Sequence, residues 1–271
     1  SHATNSPYST TVLNTAHIAA VDFNKDGYVD LAIPSGSTSS VAIFLNNQDE
    51  TFADPVSYAT VAIPRGVRAG FFDGDANIDL AILSVGNGIS LLKGDGSGGF
   101  TTFASSPIAL SGSPLGLDIG DFDGDQNIDL LVGGNDQNNV SLLKGDGAGG
   151  FSSFSGFPYD VGVETPYGII TSDFNNDGKA DIAYANSNSD SDSFEVLLSV
   201  AAPTTQASVI TFSNTTTSST TVNWTNGNGT DRIVVAREDA APDVSPADLT
   251  TYAANSVFGS GDALGNGYVV Y

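Results

Sequence analysis

The sequence predicts an all-β protein, and three observations carry that expectation. Apolar residues fall in short runs bounded by Gly, Ser, Asn and Asp, as strands do and helices do not. A nine-residue acidic segment recurs four times, its copies starting 49, 50 and 52 residues apart; a fixed period of that size marks an array of like units. Beyond residue 206 the period stops and shorter strands with alternating faces take over, which predicts a second, smaller β unit.

Each repeat has one internal order. A first apolar run leads into the acidic segment: His17-Ile-Ala-Ala-Val21, Val67-Arg-Ala-Gly-Phe71, Leu115-Gly-Leu-Asp-Ile119 and Tyr167-Gly-Ile-Ile170. A second leaves it: Leu31-Ala-Ile33, Leu80-Ala-Ile-Leu83, Leu130-Leu-Val132 and Ile182-Ala-Tyr184. After a polar turn comes a third: Val41-Ala-Ile-Phe-Leu45, Ile89-Ser-Leu-Leu92, Val140-Ser-Leu-Leu143 and Phe194-Glu-Val-Leu-Leu198. A more polar fourth strand follows near residues 55–59, 101–105 and 152–157. Four antiparallel strands with an exposed outer one describe a propeller blade, so the expected architecture is a β-propeller of about four blades.

The fourth repeat breaks the rule. After Val200 the chain meets Ala201-Ala-Pro-Thr-Thr-Gln206, a linker composition, with no fourth strand. Ser9-Thr-Thr-Val-Leu13 is β-rich and stands where an outer strand would, so it is expected to complete the last blade and close the ring. The rivals are a partial propeller and a strand lent by a neighbouring protomer. Ser208-Val-Ile-Thr-Phe212, Thr220-Thr-Val-Asn-Trp224, Arg232-Ile-Val-Val-Ala236 and Tyr268-Val-Val-Tyr271 read as strands of a partial β-sandwich, with Trp224 as its core aromatic. That unit is too short for seven strands, so either the gene product continues or another chain supplies the rest.

The acidic segments are Asp22-Phe-Asn-Lys-Asp-Gly-Tyr-Val-Asp30, Phe71-Phe-Asp-Gly-Asp-Ala-Asn-Ile-Asp79, Asp121-Phe-Asp-Gly-Asp-Gln-Asn-Ile-Asp129 and Asp173-Phe-Asn-Asn-Asp-Gly-Lys-Ala-Asp181. Oxygen side chains at positions 1, 3, 5 and 9 match the spacing that wraps a short loop around a hard cation such as Ca2+. Loop one offers Asp22, Asn24, Asp26, the Tyr28 carbonyl and Asp30; loop four offers Asp173, Asn175, Asp177, the Lys179 carbonyl and Asp181. Loop three offers Asp121, Asp123, Asp125, Asn127 at the carbonyl position and Asp129, with Gln126 where Gly is usual. Loop two has Phe71 at its first position and Ala76 at the turn, leaving Asp73, Asp75 and Asp79, and is expected to bind weakest. Two to four Ca2+ ions are expected, as structural staples rather than sensors, because the loops lack flanking helices and a Glu at position 12.

These loops and their flanking strands resemble the FG-GAP/VCBS repeat family, the calcium-binding propeller blades also found in integrin alpha-subunit heads. The resemblance spans roughly residues 8–200. Its usual ring has seven blades, so the four copies here put ring size in question. Residues 207–271 look like the first part of a fibronectin type III-like domain, with Thr225-Asn-Gly-Asn-Gly-Thr230 and Ser256-Val-Phe-Gly-Ser-Gly-Asp262 among the matching stretches. The implied organisation is a propeller over 1–200, a linker at 201–206 and an incomplete sandwich over 207–271.

Composition narrows the function. Asp and Glu number 31 against 8 Lys and Arg, a net charge of −23, which argues against nucleic acid as a partner. Thirteen of the acids sit in the four loops, and four Ca2+ would bring the charge to −15. Without Cys, neither disulfides nor thiolate sites exist; no apolar run approaches a membrane span. The absence of Met at position 1 reads as a processed or trimmed chain.

No catalytic set emerges. His2 and His17 are the sole imidazoles, no Gly-x-Ser-x-Gly elbow occurs, and the paired carboxylates are accounted for by the loops. The Gly-rich stretches 94–99 and 145–150 lack Gly-Lys-Ser/Thr and read as hairpin turns, not phosphate cradles. The expected function is therefore a non-enzymatic, calcium-stabilised scaffold or adhesion protein, secreted or at the cell surface. It would face a protein or glycan partner, and self-association by strand exchange into a surface fibre is the further expectation. The alternative is a carbohydrate-binding or accessory module of a larger secreted enzyme, using aromatics such as Tyr159 and Tyr167.

Overall fold

The computed structural model describes residues 17–110, 112–133, 139–154, 156–160, 166–186 and 193–199, and the backbone of 208–213, 221–225, 235–236, 263–264 and 267–269. The described residues are all-β, without a helix. The chain divides into two compact units, Ser1–Ser199 and Val200–Tyr271.

The first unit consists of successive antiparallel sheets, one per repeat. Strands β1 (Ala19–Val21), β2 (Asp30–Ser35), β3 (Ser40–Phe44) and β4 (Val56–Ala59) pair in chain order. The second sheet repeats this with β5 (Pro64–Gly70), β6 (Asp79–Ser84), β7 (Gly88–Gly94) and β8 (Phe100–Thr102). In the third, β9 (Gly116–Gly120), β10 (Asp129–Gly133) and β11 (Asn139–Gly145) are followed by two short strands that share the outer edge of β11. Of these, β12 (Phe151–Ser153) pairs with its end and β13 (Tyr159–Asp160) with its beginning. The fourth sheet has β14 (Pro166–Ser172), β15 (Asp181–Asn186) and β16 (Ser193–Leu197). The segment 9–13, expected to complete it, and the linker 201–206 lie outside the described residues.

The sheets pack face to face, so the cores lie between repeats rather than within one. Strand β6 is buried along its whole length, and its period-2 alternation serves both neighbours. Leu80 and Ile82 join Phe23, Ala32, Val41 and Ile43 of the first repeat, while Ala81 and Leu83 join Leu117, Leu130 and Val132 of the third. Across the next joint, Leu131, Val140 and Leu142 meet Ile169, Ile182 and Tyr184. A strand buried on both faces reads as an unbroken apolar run, which is why Leu80-Ala-Ile-Leu83 shows no alternation in sequence. Each fully buried Leu or Ile contributes about 1.5–3 kcal/mol relative to exposure. Outer strands β4, β8 and β12 are largely exposed, matching their polar composition.

First strands stand side by side in chain order, β1 by β5, β5 by β9 and β9 by β14. A polar thread ties three of them. Arg68 Nε of β5 donates to Asp118 Oδ1 of β9 at 2.7 Å, and Asp118 Oδ2 accepts the Thr171 amide of β14 at 2.7 Å. In the second unit, β17 (Ser208–Ser213) pairs antiparallel with β18 (Thr221–Thr225), which contains Trp224. Strands β19 (Val235–Ala236), β20 (Ala263–Leu264) and β21 (Gly267–Val269) form a separate sheet in the order β19-β21-β20.

Candidate metal centre

Each acidic loop links the first and second strands of its sheet, so all four occupy equivalent places in successive sheets. Neighbouring loops touch: Lys25 Nζ of loop one donates to Asn77 Oδ1 of loop two at 2.7 Å, and the Ala180 amide of loop four donates to the Asp121 carbonyl of loop three at 2.8 Å.

Loop geometry comes from Asx-type hydrogen bonds, in which short carboxyl and amide side chains accept from amides a few residues on. In loop one, Asp22 accepts from the Asp26 and Gly27 amides, Asn24 Oδ1 from Asp26 and Asp26 Oδ1 from Tyr28. Loop four repeats the set residue for residue: Asp173 accepts from Asp177 and Gly178, Asn175 from Asp177, and Asp177 from Lys179. In loop three Asp121 accepts from Gly124 and Gln126, Asp123 from Asp125, and Asp125 from Asn127. Position 6 adopts positive φ in these three loops, at Gly27, Gln126 and Gly178. Ala76 does not, and loop two lacks the first-position acceptor because Phe71, 49% exposed, has no side-chain oxygen.

The ninth residue has a second task that sequence spacing did not disclose. Asp30, Asp79, Asp129 and Asp181 are each 0% exposed. In every copy Oδ2 accepts the amide of the loop's second residue, at 2.8–2.9 Å from Phe23, Phe72, Phe122 and Phe174. Oδ1 accepts an amide at the end of the third strand, from Asn46, Gly94, Gly145 or Ser199, at 2.7–2.9 Å. One carboxylate therefore clasps the loop's start to the end of a strand two elements away. Burial pushes the Asp79 and Asp129 carboxyls up to about 6, against the opposing pull of those amides.

The fit to a cation differs among loops. Ligands about 2.4 Å from one Ca2+ cannot be more than about 4.8 Å apart. Among the described residues, carboxylate oxygens of Asp121, Asp123 and Asp129 meet that limit. A carboxylate oxygen has two lone pairs, so accepting one hydrogen bond does not by itself bar it from a cation. In loops one and four Asn24 and Asn175 replace one carboxylate by an amide oxygen, which suits a hard cation. Loops two and three carry something further. Lys93 Nζ contacts Asp73 and lies 3.1 Å from Asp75 Oδ2; Lys144 Nζ contacts Asp123 and lies 2.9 Å from Asp125 Oδ2. Hydrogen bonds to Asp73 and Asp123, first among their causes, hold both ammonium groups above the ordinary lysine range.

The Gly-rich stretches are turns closed by their own aspartates. Asp95 Oδ1 accepts from Ser97 and Gly99, and Asp146 Oδ1 from Ala148 and Gly150, so those amides are already engaged. Tyr159 is half-buried and packs on Phe157 at the core between the third and fourth sheets. The side chain of Tyr167 lies outside the described residues.

An FG-GAP-like repeat model matches residues 72–132 and again 121–184, each match running from one acidic loop through the next. The chain thus carries FG-GAP-like repeats across loops two, three and four. No curated protein matches it. Among solved structures, BBS1N in complex with ARL6DN, soaked with mercury, is similar at 11% identity and a TM-score of 0.41. That likeness covers 79% of this chain, which spans 60% of the other's length. No helix among the described residues is long and apolar enough to cross a membrane.

Proposed function

We propose that this protein is a non-enzymatic, calcium-stabilised β-propeller scaffold or adhesion module, secreted or displayed at the cell surface. The observation that carries the reading is the recurrence of the acidic loop at equivalent places in four successive sheets, each copy clasped by its buried ninth aspartate. A catalytic site needs one distinctive constellation, whereas here the same oxygen set is spread along the array. In this reading loop three, where oxygens of Asp121, Asp123 and Asp129 lie within 4.8 Å of one another, holds one ion, and Asp22, Asn24, Asp26, the Tyr28 carbonyl and Asp30 hold a second. Asp173, Asn175, Asp177, the Lys179 carbonyl and Asp181 hold another. The ion neutralises a carboxylate cluster and tightens a loop already clasped by its ninth residue. The test is thermal unfolding during EDTA titration: calcium should raise the midpoint, and an unchanged midpoint would sink the stapling role.

Residues 207–271 serve in this reading as a fibronectin type III-like linker to further modules. Self-association rests on the fourth sheet. Phe194 is 76% exposed, and Val196 and Leu198 lie exposed on the same face. A fourth strand joins β16, either from this chain's own segment 9–13 or from a neighbouring protomer. Sedimentation with calcium at high concentration separates the two, since a monomer excludes the lent strand.

A further inference from the structure

We infer that Lys93 and Lys144 are built-in counter-cations, so that a divalent ion enters loops two and three only by displacing an ammonium group, while among the described residues loops one and four carry no such competitor. The inference deepens the calcium reading above and rests on it for its ion-binding half.

Strand register brings the two lysines to their loops. The clasp fixes equivalent positions, because the ninth aspartate accepts the amide of Asn46, Gly94, Gly145 or Ser199 in the four repeats. The residue just before is then Leu45, Lys93, Lys144 or Leu198. Alternation along the strand turns that side chain toward the loop. In repeats two and three it is a lysine, and its Nζ rests between the carboxylates of loop positions 3 and 5. Those are the residues the metal reading assigns as ligands, so ammonium and ion want the same oxygens. In repeats one and four the leucine supplies no charge, and position 3 is Asn rather than Asp.

The two changes go together. Where strand three brings a lysine, positions 3 and 5 are both Asp; where it brings a leucine, position 3 is the neutral Asn24 or Asn175. The number of carboxylates at positions 3 and 5 therefore follows the positive charge facing them, two where a lysine stands and one where a leucine does. Loop three alone combines a complete oxygen set with a resident lysine, so it is where ion and ammonium compete directly.

The experiment measures calcium binding by the full chain using calorimetry and native mass spectrometry, alongside thermal midpoints in EDTA. Lys144→Met keeps the aliphatic stem and removes the charge. It should tighten one calcium site on the order of tenfold, the scale set by repulsion between an ammonium and a dication a few ångströms apart in a water-like medium. In EDTA it should melt below the wild type, and calcium should restore it. Lys93→Met should also melt lower in EDTA but gain less calcium, since Phe71 leaves its loop without a first ligand. Lys144→Arg, which retains the charge, should leave the calcium affinity unimproved and serves if the methionine variant folds poorly. The inference is overturned if Lys144→Met binds calcium no more tightly than the wild type, or if its midpoint in EDTA is unchanged. A wild type that binds no calcium while Lys144→Met still melts lower in EDTA would refute the metal reading and leave the counter-cation role standing.

Discussion

Replacing Asp30 separates the clasp from the ion. Its carboxylate is fully buried and accepts the Phe23 amide at 2.9 Å and the Asn46 amide at 2.8 Å. Asp30→Asn keeps one acceptor oxygen and turns an NH2 group toward the other amide, so one donor loses its partner. A buried donor left unsatisfied costs about 1–3 kcal/mol; because the Asn46 site is only partly buried, we expect about 1–2 kcal/mol. Asp30→Ala orphans both amides and should cost about 2–4 kcal/mol. For a unit of this size each kcal/mol moves the midpoint by about 2–4 °C. The assay is calorimetric unfolding of both variants in EDTA and in calcium. If Asp30→Ala melts with the wild type in EDTA and loses only the calcium increment, the ninth residue works through the ion alone and the clasp is wrong.

Further measurements address other parts of the fold. Gln126 sits at φ 70° at the turn where loops one and four have Gly, so Gln126→Gly should stabilise by about 0.5–1 kcal/mol in urea denaturation. Gly149 has φ 81°, and a Cβ there would lie 2.3 Å from the Phe103 ring, so Gly149→Ala should destabilise by about 2–4 kcal/mol in the same assay. Arg68→Leu should cost about 1–2 kcal/mol by breaking the partly buried pair with Asp118, and less at high salt. In calcium-free buffer Asp79 and Asp129 hold protons in the folded state up to about pH 6 that the unfolded chain releases near pH 4. Their contribution to stability is thus full below about pH 4 and lost as pH rises through 6. An Asp79→Asn/Asp129→Asn double variant should show a flatter stability profile across that window.

Strand order and the acidic period were legible because both are local: run length, turn residues and a repeat spacing need no knowledge of partners. Boundaries shifted where backbone pairing outran the apolar run, as in β5, which begins at Pro64 rather than Val67. The outer strand of the third sheet was read as one segment and proved to be two, because β12 and β13 divide the edge of β11 between them. The ligand spacing located the loops but not the clasp, since the Asp79 partner Gly94 lies beyond a complete hairpin. Lys93 was visible in the repeated Leu-Leu-Lys-Gly-Asp-Gly string, directly before the stretch 94–99 that reads as a turn. Its bearing on Asp73 depends on strand register, which only the folded sheet reveals. The signal that would have found it is the contrast between lysine in repeats two and three and leucine in repeats one and four.

The aromatic residue at loop position 2 has a consequence for how such a chain is made. Phe23 packs edge-on against Phe100 of the next sheet, and Phe72 does the same with Phe151. A repeat emerging from the ribosome therefore carries a ring whose cover has not yet been synthesised. Its hydrophobic contacts close only when the fourth strand of its successor arrives. Maturation then proceeds as a staggered wave, always one repeat behind translation, and during synthesis the newest complete sheet is always the one with an unsealed side.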